Sequence, residues 1–518
     1  MTSIKMLVAG LAAAFAVSAQ AEDIIRLGNL KFAHYGAVSY MKEVCPKYGI
    51  KVEERMFPKG PDIMPAIVAG EVDLAALASD GAISGRANGV PIYTVAGFAK
   101  GGARIVAGVD SGIKDIKGLK GKKVGVTRGG AHELLLYAEL EKAGLTWSDK
   151  PGKDVQIVFL SFADLNQALV ARQIDAMCQS EPQSSQAINK KFGVEVMKPY
   201  TTAMGEPYRL LVMTEKLYAN KDLSQRVMKC FVESTATFNK DMKLAETYVR
   251  DKMFKGQITS DDFKDAMDNA DYTYDVTLQH VDVTTGFMQK YGVGRMQKPP
   301  KAAEWVKLDL LQKAKLEGRI AALESEQTIF MRTRHEAQSQ LHRYTAEIGR
   351  RDAMLERLKR DWDYINEVAP PDAKGKRANP LRIDGVESAD IVAHGKRLVE
   401  IDRTVNTGDD YQKIGTLFDF RILVRTERMQ KDGLALTVNK FMVEGLDGIK
   451  YTFNNGHLAA EPKTAATNFI RALDTIPSLM ATYEKEKKQF TRDIPTFEQQ
   501  IAAVWPKEEE LKRLKAEA

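Results

Sequence analysis

The sequence predicts two fold classes in series: an α/β fold, then a mainly α segment that carries a small β module. Two observations support this. From residue 23 to about 193, short apolar strand candidates alternate with amphipathic helix candidates, the pattern of mainly parallel sheets covered by helices. After Lys315 an apolar heptad repeat replaces that alternation. The 518-residue length exceeds what one hydrophobic core usually supports, so at least two folding units are expected.

The first 21 residues have an export pattern. Lys5 gives a positive start, residues 6–17 form an alanine-rich apolar run, and Ala19-Gln20-Ala21 fits a small-x-small cleavage site. The run is shorter than the roughly 20 apolar residues a membrane span requires. A signal peptide over residues 1–21, cleavage after Ala21 and a soluble periplasmic product are therefore expected. No cysteine follows the run, which argues against a lipid anchor.

The strand candidates of the α/β part are residues 24–30, 51–57, 72–76, 92–96, 104–109, 123–127, 155–160 and 176–179. Helices are predicted over 35–48, with Val38, Met41, Val44 and Cys45 on one face, over 62–69, from Ser79 toward Ala87, and from Glu133 onward. Gly70 suits a left-handed helix C-cap before the third strand. Small or polar residues mark the strand-to-helix junctions: Ala33-His34-Tyr35, Gly60-Pro61-Asp62, Ser79-Asp80, and Thr127 through Gly129, Gly130, Ala131 and His132. In open α/β sheets such junctions line the ligand crevice. Their helix N-termini favour anions. The same glycines also fit a plain turn. His34, Lys59, Arg128, His132 and Arg209 are the candidates for positive or donor character in such a cleft.

Charge and cysteine content exclude some classes. The net charge is +6, and residues 317–518 hold 33 basic and 33 acidic side chains, so neither part has the basic excess of a nucleic-acid binder. Cys45, Cys178 and Cys230 are read as buried free thiols; a Cys45–Cys230 bridge stays open, with no spacing rule behind it. No phosphate loop, metal-ligand spacing or Ser–His–Asp order is present, and the seven histidines are scattered. No cofactor, metal or catalysis is expected.

Beyond Lys315, Ile320, Leu341, Ile348, Leu355 and Trp362 fall on one heptad position, and Leu316, Leu323, Phe330, Ala337, Tyr344, Leu358 and Ile365 on the other. Pro370-Pro371 closes this helix. A second seven-residue series runs through Phe469, Ile476, Tyr483, Phe490, Phe497, Val504 and Leu511, with Pro477 and Pro495 expected to kink or break it. Residues 415–424, 434–443 and 449–453 are strand candidates. The expectation is an antiparallel coiled-coil hairpin over 316–518, with a β insertion at about 380–460 and a capacity to self-associate.

Three runs carry a family resemblance. Residues 65–74 (PAIVAGEVDL), 116–126 (IKGLKGKKVGV) and 164–169 with 173–176 (DLNQAL, QIDA) resemble periplasmic solute-binding proteins of the nitrate/sulfonate/taurine type, and Glu181-Pro182 resembles the acidic-proline step after the last run. The resemblance covers about 23–315. It implies a two-lobe, type II-like periplasmic-binding-protein fold, with lobe one at 23–103 plus 205–315 and lobe two at 104–204. It also implies a small solute held between the lobes and a membrane permease of an ABC importer as partner. Ligand contacts are then expected from His34, Tyr35, Ser79, Asp80, Gly129, Gly130, Ala131, His132 and Glu181. A nitrate, sulfonate or carboxylate solute fits the junction chemistry; an aromatic or pyrimidine-like solute fits the wider family, with Tyr35, Phe57 or Phe98 to stack on it. A pyrimidine synthase shares the fold, but its cysteine-rich run is missing here. Residues 414–420, 450–454 and 465–473 resemble the C-terminal region of helicase/adenine-methylase-like proteins of mobile elements, without motor or methylase motifs. That resemblance implies a non-catalytic segment fused to the binding protein.

Overall fold

The computed structural model describes residues 22–518 apart from 297, 409 and 432–433. The expected signal peptide lies outside the described residues. The chain forms two compact units, one reaching to Leu323 and including Glu509–Ala518, the other Glu324–Glu508. The division falls past Lys315 because Leu310, Leu311 and Ala314 are buried in the first unit's core. Among the described residues no helix is long and apolar enough to cross a membrane.

The first unit holds two six-stranded sheets. Its strands are β1 (Asp23–Leu30), β2 (Ile50–Phe57), β3 (Leu74–Ala78), β4 (Ile92–Gly101), β5 (Ala103–Gly108), β6 (Lys122–Val126), β7 (Trp147–Ser148), β8 (Val155–Phe159), β9 (Ala176–Ser180), β10 (Gly193–Met197), β11 (Tyr208–Thr214) and β12 (Ala270–Tyr272). One lobe has the order β12-β4-β11-β3-β1-β2, the other β10-β5-β9-β6-β8-β7. This is a two-lobe α/β architecture. Each sheet is mixed rather than mainly parallel. β1 lies parallel to β2 and β3, and β6 parallel to β8 and β9, whereas β11 and β5 run antiparallel to both their neighbours. β5 and β11 are the strands that enter from the opposite lobe, outside the strand–helix–strand repeat, so they need not share its direction.

Two segments cross between the lobes. The first is Gly101-Gly102, at φ of +75° and +78°, a region open to glycine without strain. The second spans residues 198–207. Within it the Tyr200 hydroxyl donates to the Ala103 carbonyl and accepts the Ala103 N–H, both at 2.9 Å. The helix expected over 35–48 is split into short pieces, Gly36–Ser39, Met41–Val44 and the 3-10 turn Cys45–Tyr48. Cys45 is joined to Cys230 by a disulfide, which corrects the free-thiol reading for this pair; Cys178 is free and buried. The helix Lys221–Lys240 brings Cys230 to Cys45 across 185 residues, a proximity no local spacing encodes.

In the second unit, β13 (Arg382–Ile383), β14 (Gln412–Leu417), β15 (Phe420–Lys431), β16 (Leu434–Glu444) and β17 (Lys450–Tyr451) form an antiparallel sheet in chain order. The strand expected over 415–424 is instead a hairpin, because Phe418 and Asp419 adopt left-handed φ of +50° and +62°. A helix, Ile391–Thr404, occupies part of the stretch read as strands, and its Leu398 and Ile401 reach the same core as Phe420 and Phe469. The long helix Asp309–Val368 ends just before Pro370, as expected. Within the unit it packs antiparallel to the helix Ile476–Ala502: Tyr344 meets Phe490 and Phe497 at ring distances of 4.9 and 5.3 Å, and Arg351 pairs with Glu486 at 2.9 Å. Pro477 begins that helix instead of breaking it, and Pro495 lies inside it.

Candidate functional site

Most of the expected junctions converge on one cavity between the lobes of the first unit. β1 delivers Phe32, His34 and Tyr35; β2 delivers Lys59, Gly60 and Pro61; β3 ends at Ala78 and passes to Asp80 and Gly81. From the other lobe, β6 supplies Thr127 and the run to His132, β8 leads to Phe162, and β9 ends at Ser180. These are carboxyl ends of parallel strands, where open α/β sheets place ligands. Arg209 is paired in register with Ala78 at the end of β3, and so enters the same space. Phe32 and Phe162 meet across the lobes edge to face at 5.1 Å, and His132 packs on Phe162 at 5.0 Å. Space open to the centre of a water molecule amounts to about 30 Å³, room for a few atoms.

The walls are mainly apolar, and several of the polar groups set in them are incompletely bonded. His34, Asp80, His132 and Arg209 are each buried to within 3% of full enclosure. Both ring nitrogens of His34, Nε2 of His132, Oδ1 of Asp80, Oγ1 of Thr127 and Nε of Arg209 have no hydrogen-bond partner in the chain. Buried polar groups are usually paired, so such a cluster is a ligand signature. Arg209 donates one bond, Nη2 to the Gly101 carbonyl at 2.9 Å. Burial, then the Arg209 charge, holds the His34 imidazole well below its ordinary range and His132 at about 3, so both rings are neutral. Burial lifts the Asp80 carboxyl to about 6 against the opposing pull of Arg209.

The expected contacts divide into two groups. His34, Tyr35, Asp80, Gly129, Gly130, Ala131 and His132 line the cavity. Gly129 sits at φ +79°, and its N–H is taken by Glu133 Oε2 at 2.6 Å. The helix Ala131–Lys142 still opens toward the cavity with first-turn N–H groups that have no partner inside the helix. Ser79 is buried beside the cavity rather than in its wall. Glu181 lies outside the wall: it accepts Ser185 Oγ at 2.6 Å and Asn269 Nδ2 at 2.9 Å, and faces Arg104 at 3.2 Å. It belongs to the crossing between lobes. Of the cations considered, Arg128 lies over the Phe159 ring at 3.7 Å and is more than half exposed, and Arg209 is the buried one. The sequence reading missed Phe162 and Ser180. Phe162 follows Ser161 at the end of β8, the same junction pattern that marked the others.

Comparison with known proteins follows the same division of the chain. Residues 25–249 match the NMT1-like family. Residues 366–473 match a domain of unknown function, DUF8438. A binding protein of Brucella abortus, provisionally named as such, is 33% identical over 144 residues, 27% of this chain and 41% of the relative. The chain thus aligns to about two fifths of that relative's length. A protein of Escherichia coli provisionally named as an aliphatic sulfonates-binding protein is 28% identical over 244 residues, 45% of this chain and 73% of the relative. Among solved structures, the alkanesulfonate-binding protein of Xanthomonas axonopodis pv. citri bound to MOPS has 18% identity and a TM-score of 0.47, covering 55% of this chain and 98% of that one.

Proposed function

We propose that the first unit is the extracytoplasmic solute-binding component of an ABC importer, capturing a small anionic solute between its lobes and passing it to a membrane permease. The observation that carries this reading is Arg209: a buried guanidinium with an idle Nε in the inter-lobe cavity, beside unpartnered polar atoms on His34 and Thr127. Lobes at 23–103 with 205–315, and at 104–204, would close on the solute, and closure would be limited by the solute's differential affinity for the two states. The match to the NMT1-like family and the names of the relatives support it. The Cys45–Cys230 disulfide favours an oxidising compartment, in keeping with export and cleavage after Ala21.

The cavity carries binding groups without an activated nucleophile, so the solute should be released unaltered. For the C-terminal part we keep the reading of a non-catalytic, helicase/methylase-like segment that acts through its helical hairpin. The decisive experiment is calorimetry of the exported chain against nitrate, short sulfonates and short carboxylates, with mass spectrometry of the recovered solute. Binding of at least one anion, recovered intact, is expected; chemical conversion of it would overturn the reading. An intact Met1 on periplasmic material would overturn cleavage after Ala21.

A further inference from the structure

One cavity group is at odds with anion capture. Asp80, in the first turn of the helix Ser79–Ala87, stands in the same wall as Arg209, and its Oδ1 has no partner. Arg209 from β11, Glu133 from the helix Ala131–Lys142, and Tyr35 from the turn after β1 act on it electrostatically; His34, Lys59 and His132 share its cavity. An ionised Asp80 would offset Arg209 and repel an anion. A protonated Asp80 would leave Arg209 unopposed and offer the anion an O–H donor.

We infer that Asp80 makes capture proton-coupled: a monoanion enters the cavity together with one solvent proton, which resides on the Asp80 carboxyl while the anion is bound. This rests on the anion reading above and deepens it. The carboxyl is already lifted to about 6 by burial, and a bound anion would lift it further. The imidazoles cannot mimic the effect, since His132 titrates at about 3 and His34 well below its ordinary value. Tyr35 is pushed upward by burial, away from the same range. Asp80 is therefore a selector for solutes that carry negative charge without a cationic group.

The test uses the full exported chain with methanesulfonate and nitrate as probes. Calorimetry at about pH 5.5 and about pH 8, in two buffers of different ionisation heat, should show affinity falling about tenfold per pH unit above the carboxyl's titration point, with close to one proton taken up near pH 8. Asp80→Asn should bind with pH-independent affinity, tighter than wild type at about pH 8 by up to roughly a hundredfold. If that variant misfolds, the wild-type proton count decides alone. Equal affinity at both pH values with no proton uptake would overturn proton coupling and leave the anion reading standing. An aminoalkanesulfonate bound best near pH 8 would also overturn it, with Asp80 pairing the ammonium. No binding of any small anion near pH 5.5 would overturn the anion reading, and this inference with it.

Discussion

Two arginines of the first unit are almost equally buried, 2% and 1% exposed, yet they differ in the carboxylates around them. Arg104, at the crossing between the lobes, faces Glu181 at 3.2 Å, Glu195 at 3.2 Å and Asp265 at 2.9 Å; its Nε, like that of Arg209, makes no hydrogen bond, but it is ion-paired with two of those carboxylates. Arg209, in the cavity, has one carbonyl bond, an idle Nε and a neighbouring carboxyl that burial holds near half-protonation around pH 6. Removing a charge from water is costly unless partners replace the water. At the crossing the chain supplies those partners itself. In the cavity it leaves the cost standing, which is what a site reserved for an external anion requires. Burial alone therefore does not distinguish structure from function; the state of the partners does.

Substitution can break this contrast. Arg104→Leu strands the Glu181 carboxylate in the interior and should cost about 3–5 kcal/mol of stability. Denaturant unfolding measures it, and a loss below about 1 kcal/mol would place Arg104 in the same class as Arg209. Arg209→Leu should do the reverse. Stability should hold within about 1 kcal/mol or rise, while anion affinity drops by about 2–5 kcal/mol, roughly thirtyfold or more. A variant that loses stability but keeps affinity would show Arg209 to be structural.

The neutral imidazoles give a third, pH-resolved test. Burial takes His132 from an ordinary 6.5 to about 3. Between those values the unfolded chain binds the extra proton, so this contribution is complete above 6.5 and is lost as pH falls through about 3. Asp80 acts oppositely: raised from 3.8, it contributes stability below that value that is lost as pH rises to about 6. His132→Gln should therefore gain on wild type as pH falls, by about 2 kcal/mol near pH 5 relative to neutral pH. Thermal melts at matched pH decide it; a pH-independent difference would mean that His132 is not held neutral. The smallest effect belongs to the exposed inter-lobe contact, Lys290 to Glu141 at 2.6 Å, where Lys290→Ala should change stability by under about 1 kcal/mol.

How far the sequence could be read follows from how local each signal is. The turns after β1, β2, β3 and β6 are marked by their own glycines, prolines and polar residues, and all of them open onto the cavity. β11 carries no such mark: its stretch Leu210–Met213 is buried on both faces, so the alternation that betrays a half-buried strand is missing. With the strand unrecognised, Arg209 was visible as a cation but not as the buried one. Glu181 was misplaced because an acid before a proline looks the same whether it faces a ligand or Arg104. The Cys45–Cys230 bridge and the Phe32–Phe162 contact depend on tertiary proximity alone. In the second unit the heptad spacing anticipated the antiparallel helices, while the two-residue turn at Phe418-Asp419 lay hidden in an apolar run.

The last ten residues change how the chain can be taken apart. Glu510 receives Arg319 at 2.7 Å, Leu511 is buried, and the stretch Glu509–Ala518 belongs to the first unit. The second unit is therefore nested, not appended: the first unit's chain leaves, and its final helix comes back. A protein cut short at Lys315 would take both the stretch up to Leu323 and that returning helix away from the first unit. The cleaner surgery is an excision, deleting 324–508 and rejoining the cut ends through a short linker, because shortening the path between anchored ends lowers the entropy of closing it only logarithmically.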